Sequence, residues 1–129
     1  MYDELMKIYD DPNRQDYLCG EVGYYFFVRS LDHIDSLKET LIKDKMIGKE
    51  DNVELVKIED PEEDFEPISS EWRFSDEIKQ RFLDVFGSAD VYYEVTADGS
   101  YAAGGCNWGT SRVLQKGDEF VLLEFYLCD

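Results

Sequence analysis

Six carboxylates fall within the eight residues from Glu59 to Glu66, namely Glu59, Asp60, Glu62, Glu63, Asp64 and Glu66, with Pro61 among them and Pro67 just after. Carboxylates at this density can hold a hard cation, exchange protons as acid and base, or present a negative field to a basic surface. The run lacks the D-x-[DN]-x-[DN]-G pattern of a calcium loop, which argues against the first. No spacing singles out a pair placed like the two acids of a glycosidase, which leaves the second without a candidate. The third remains, so all six are expected to be partner-binding residues.

Gly104-Gly105-Cys106-Asn107-Trp108-Gly109 is the other arrangement with chemical content. Flanking glycines can expose a thiol and offer backbone N–H groups to an oxyanion, but a cysteine nucleophile also needs a base. The single histidine, His33, lies far away in sequence, and the block does not match the papain-type signature. A structural bend with Trp108 packed on the core is expected instead. One histidine excludes a His-rich metal site, and no Walker A, G-x-G-x-x-G or G-x-S-x-G motif occurs. The expectation is therefore no catalytic residue, no metal and no cofactor. A third feature is Tyr24-Tyr25-Phe26-Phe27, whose side chains alternate across a strand. Tyr24 and Tyr25 are candidate exposed aromatic contacts, of the kind that dominate protein interfaces.

These residues need a scaffold, and the hydrophobic periodicity supplies one. Phe120 to Cys128 is an apolar run broken only by Glu124, expected as a central strand covered on both faces. Lys116-Gly117-Asp118 is the turn before it, and residues 110–115 are its antiparallel partner. Residues 21–29 are the second strong strand, 52–58 a third, and 90–96 a fourth that leads into an Asp98-Gly99 hairpin signal. Ile34, Leu37, Leu41, Ile42 and Met46 share one helical stripe over 34–47, with Gly48 as its stop. Ile78, Phe82, Val85 and Phe86 share another, clearest over 75–86 with Ser75 or Asp76 as cap. A short helix is expected over 2–9, an extended acidic loop over 59–67, and a β meander over 90–128. The sum is a single α+β domain with a largely antiparallel sheet of about five strands and two main helices packed on one face.

The totals narrow the function classes. Among 129 residues, 30 acidic against 13 basic give a formal charge of −17. That charge repels nucleic acid and anionic membrane, so neither is an expected direct partner; a basic protein is. No run is long enough for a membrane span, and the first residues lack the charged and apolar regions of a signal peptide. Three cysteines without C-x-x-C spacing argue against a disulfide framework, and a reducing cytoplasm is expected.

In size and composition the chain is similar to bacterial toxin-immunity proteins and to phage anti-defence proteins that mimic the charge of nucleic acid. The likeness covers no particular residues. It implies a small non-catalytic inhibitor that neutralises or regulates a nuclease, toxin or nucleic-acid-binding effector. The alternatives are a small-ligand protein or enzyme with a pocket near Cys106, and an accessory subunit of a larger assembly.

Self-repulsion at −17 opposes the compact state, so added salt should stabilise it. Raising sodium chloride from roughly 20 mM to roughly 500 mM is expected to lift the thermal midpoint by several degrees, as followed by circular dichroism. A flat or falling midpoint would contradict this.

Overall fold

The structure is a computed structural model, and it describes residues 1–12, 14, 17–20, 22–97 and 106–128; for 17–19 and 106–108 it describes the backbone only. One antiparallel sheet carries the fold. Its strands are β1 (Tyr17–Cys19), β2 (Val22–Leu31), β3 (Val53–Lys57), β4 (Val91–Ala97), β5 (Cys106–Lys116) and β6 (Glu119–Cys128). The order across the sheet is β1-β2-β6-β5-β4-β3. The helices are α1 (Tyr2–Tyr9), α2 (Leu37–Lys43), α3 (Pro61–Glu71) and α4 (Asp76–Ser88), with a short 3-10 turn over Ile34–Ser36. The expected α+β class and antiparallel sheet are what the structure has; the sixth strand is the three-residue β1.

β6 is the central strand the sequence indicates, bonded to β2 on one side and β5 on the other. Val121, Leu122, Leu123 and Phe125 have no exposed surface. Because side chains alternate, they feed two cores. Val121, Leu123 and Phe125 join the larger one, with Leu5 and Ile8 of α1, Phe65, Ile68 and Trp72 around α3, and Phe82 and Phe86 of α4. Leu122 joins the smaller one on the other face, with Leu37 and Leu41 of α2, Met46, Ile47, Val95 and Val113.

The two longest helices, α3 and α4, therefore share a face, but one of them is not the helix expected. The stripe over 34–47 is helical only from Leu37 to Lys43, and the chain turns away at Asp44 and Lys45, where Lys45 has a φ of 61°. This helix covers the opposite face alone, and Gly48 lies beyond its end.

Residues 59–67, expected as a loop, hold most of α3 instead. Asp60 caps the helix by accepting the Glu63 amide at 3.1 Å, and Pro61 occupies the first turn, where its missing N–H has no helical partner to lose. Glu62, Glu63 and Asp64 fall in that same turn, at the positive pole of the helix dipole, so part of the repulsion that argued for a loop is offset. Phe65, Ile68 and Trp72, three and four residues apart, then turn one side into the core. Pro67 is exposed and does not break the helix.

The α4 helix is as the sequence indicates: Ser75 accepts the Ile78 amide at 3.2 Å, and Ile78, Phe82, Val85 and Phe86 are buried. The 90–128 meander is present as β4-β5-β6, while the Asp98-Gly99 turn lies outside the described residues.

Phe65 is fully buried and sits within about 5–6 Å, ring to ring, of Phe82, Phe86 and Phe125. Phe65→Ala is expected to cost ~3–5 kcal/mol in urea unfolding, as for other buried aromatic truncations. A cost below ~1 kcal/mol would restore the loop assignment.

Candidate functional site

The sheet face beneath α3 carries a buried arginine, and this fixes where the acidic surface goes. Arg112 of β5 points toward α3 and grips Asp64 with two bonds, Nε to Oδ2 at 2.7 Å and Nη2 to Oδ1 at 3.2 Å. The Tyr92 hydroxyl donates to the same Oδ2 at 2.7 Å, and Glu94 Oε2 lies 3.3 Å from Nη2. Nη1 donates to Thr110 Oγ1 and to the Ser111 carbonyl, so the guanidinium is enclosed by acceptors. Burial opposes its charge, but the Asp64 bond and the neighbouring charges outweigh that and hold its pKa above the ordinary value. Burial pushes the Tyr92 phenol up, with Asp64 adding to it, so Tyr92 remains a donor. Removing one partner of such a buried pair costs roughly 3–5 kcal/mol, because the other is left charged and unmatched. The cluster fastens α3 to the sheet.

Of the six carboxylates expected to bind a partner, Asp64 is thus turned inward. The other five, Glu59, Asp60, Glu62, Glu63 and Glu66, are exposed. Glu66 pairs with Lys79 of α4, and the charges of Glu62 and Asp76 also act on that lysine. Asp76 and Glu77, exposed in the first turn of α4, extend the same surface. Periodicity of acids alone could not reveal this second contribution, since it needs α4 placed beside α3. Asp60 is also the α3 cap.

Tyr24 and Tyr25 do not form one patch, because adjacent strand residues face opposite ways. Tyr24 is on the α3 side, with its ring 5.4 Å from Trp72 and its hydroxyl donating to Glu71 at 3.2 Å. Tyr25 is on the α2 side, stacked 5.5 Å from Tyr126 and folded over Gly23, where a Cβ would collide with its ring. Both are half-buried.

A second polar centre, which the apolar look of β6 conceals, lies on the α2 face. Glu124 is 1% exposed and stands beside Asp44, the residue that ends α2. Arg29 Nε lies 3.0 Å from Asp44 Oδ2 and 3.7 Å from Glu124 Oε1. Ser111, opposite Glu124 on β5, has a buried Oγ without a hydrogen-bond partner among the described residues. Burial pushes the Glu124 carboxyl up to about 9, the bond and charge of Asp44 push the same way, and Arg29 opposes them. Glu124 is consequently neutral at pH 7 and can donate its proton to Asp44. This centre ties the end of α2 to the sheet; its burial gives no route for a substrate.

His33 is exposed at the start of the 3-10 turn. The side chains of Cys19 and Cys106 lie outside the described residues, so the pocket expected near Cys106 is not placed. Cys128 is disulfide-bonded, a correction to the expectation from cysteine spacing, which cannot register cysteines brought together by strand pairing. Among the described residues no cluster of His, Cys, Asp or Glu is arranged to hold a metal, and no helix is long and apolar enough to cross a membrane. Comparison with protein-family models, with curated proteins and with solved structures finds no match.

The Glu124 centre has a pH signature. The folded state keeps this proton up to about pH 9, whereas the unfolded chain releases it near 4.5, so stability falls as pH rises between those values. Glu124→Gln keeps a neutral donor and removes that dependence. The variant should gain on wild type steadily from about pH 5 to about pH 8 in urea unfolding. Parallel pH profiles for the two proteins would show that Glu124 ionises normally.

Proposed function

We propose that this protein binds a basic protein through the anionic surface around the N-termini of α3 and α4, and by covering the partner's basic site neutralises or regulates it. The observation that carries the reading is the fixing of α3 by Asp64 and Arg112 while Glu59, Asp60, Glu62, Glu63 and Glu66 stay exposed. A surface held in place before encounter loses less freedom on binding, and its field speeds association. A nuclease, toxin or nucleic-acid-binding effector has a cleft of the matching sign, in which these carboxylates stand where phosphates would. The reading keeps the cytoplasmic location expected from the sequence, although a disulfide such as that of Cys128 is rare in reducing compartments.

The reading separates a site from mere net charge. With a small basic ribonuclease as probe, Glu59→Lys, Glu62→Lys and Glu63→Lys combined should weaken binding at least about tenfold and flatten its salt dependence. Reversing three exposed acids elsewhere, Asp32, Glu39 and Glu50, changes net charge by the same amount and should have a clearly smaller effect. Equal losses from the two triple variants, or none from the first, would defeat the proposal.

A further inference from the structure

The β3 strand is an edge of the sheet, and among the described residues no strand lies beyond it. The direction of its free backbone groups follows from two bonds. Ile58 N–H donates to the Tyr92 carbonyl at 2.9 Å, and Thr96 Oγ1 reaches the Glu54 carbonyl, so the even-numbered residues face β4. In an antiparallel ladder the bonding direction alternates, which turns the N–H and C=O groups of Val53, Leu55 and Lys57 outward. No hydrogen bond to another described residue occupies them. Proteins commonly blunt such an edge with proline, a bulge or a covering element. β3 is five residues long and carries Glu54 and Lys57, but it has no proline and keeps a regular register with β4.

The surroundings of this edge suit a guest strand. On the α2 side a groove of about 620 Å³ runs between Ile34, Leu37 and Lys38 and the strand residues Val53 and Leu55. On the other side Val56 is 45% exposed, the one large hydrophobic so exposed among the described residues. An added strand would send alternate side chains into the groove and over Val56. The C-terminal end of β3 passes directly through Glu59 and Asp60 into the acidic turn of α3. A second copy of this chain would bring another −17 to the same place and is disfavoured.

We infer that β3 accepts an extended segment of a basic protein, which pairs with Val53, Leu55 and Lys57, seats apolar side chains in the groove beside α2, and extends lysine or arginine onto Glu59, Asp60, Glu62 and Glu63. The inference rests on the basic partner proposed above and names how that partner docks.

The test uses the whole chain and three nine-residue probe peptides: alternating valine and lysine, alternating valine and glutamate, and the lysine peptide with prolines in place of valines. Amide exchange followed by NMR is the readout. The valine–lysine peptide should slow exchange at Val53, Leu55 and Lys57 at least about tenfold, and the other two should not. Lys57→Pro removes one outward N–H without touching the ladder to β4, so it should weaken that peptide about tenfold and leave the unfolding midpoint nearly unchanged. Perturbation confined to residues 59–66 would overturn the edge inference while leaving the anionic surface intact as a binding site. Equal protection by the glutamate peptide would overturn the basic character of the guest. Protection of the three amides in free protein, together with a dimer in sedimentation, would assign the edge to a second copy and overturn it likewise. Absence of protection by every peptide would also end it.

Discussion

The bond between Arg112 and Asp64 is where the acidic exterior of this protein meets its core. Only one of the carboxylates between residues 59 and 66 points inward, and it does so because β5 offers a buried guanidinium that it can pair with. Such a pair contributes less to net stability than its Coulomb energy suggests, since both charges are desolvated. What it does supply is position. With Asp64 held, the helical period places Phe65, Ile68 and Trp72 against the sheet, and Glu62, Glu63 and Glu66 outward. Trp72 secures the far end by donating from Nε1 to the Tyr25 carbonyl at 2.9 Å. The acidic helix is therefore pinned near its start and at its end.

The two sheet faces are built on different terms. The α3 side has three helices and a dense aromatic core, whereas the α2 side has one short helix and a protonated Glu124 beneath its end. A neutral carboxyl next to Asp44 and Arg29 makes a weaker fastening than the closed set of acceptors around Arg112. Unequal fastening of this kind makes the α2 layer the part that opens at lower free energy, because fewer buried apolar contacts hold it.

Long-range features of the fold were legible where hydrophobic pattern alone determines them. The β6 run could not be solvated, and its length and turn signals made it a buried strand; the α4 stripe and its Ser75 cap were equally plain. The α3 helix was not legible, because two prolines and six acids locally favour a loop. What decided it were tertiary partners, Arg112 for Asp64 and the phenylalanine cluster for Phe65, and neither is adjacent in sequence. The candidate site inherits the same limit: its acids stand together in the sequence, but Asp64 cannot be told from its neighbours until β5 is in place. Glu124 was hidden for the converse reason, since one acid in an apolar run looks like the exposed position of a strand. The placing of Tyr24 and Tyr25 on opposite faces follows from the alternation that the sequence already contains.

Charge and sheet edge are linked in a way that neither explains alone. An uncovered strand ordinarily invites pairing between copies, and β3 is short, regular and partly apolar. At −17, two copies approaching edge to edge repel each other through their net charge, a repulsion that salt screens over about 10 Å at 0.1 M. The excess of carboxylates thus opposes pairing of this edge with a second copy. At the other end of the sheet the three-residue β1 is the terminal strand, paired with β2, and Tyr9 of α1 packs its ring 5.7 Å from Phe26 and 6.1 Å from Phe27. The longer β3 edge stands in a negative field, and a field repels only partners of its own sign.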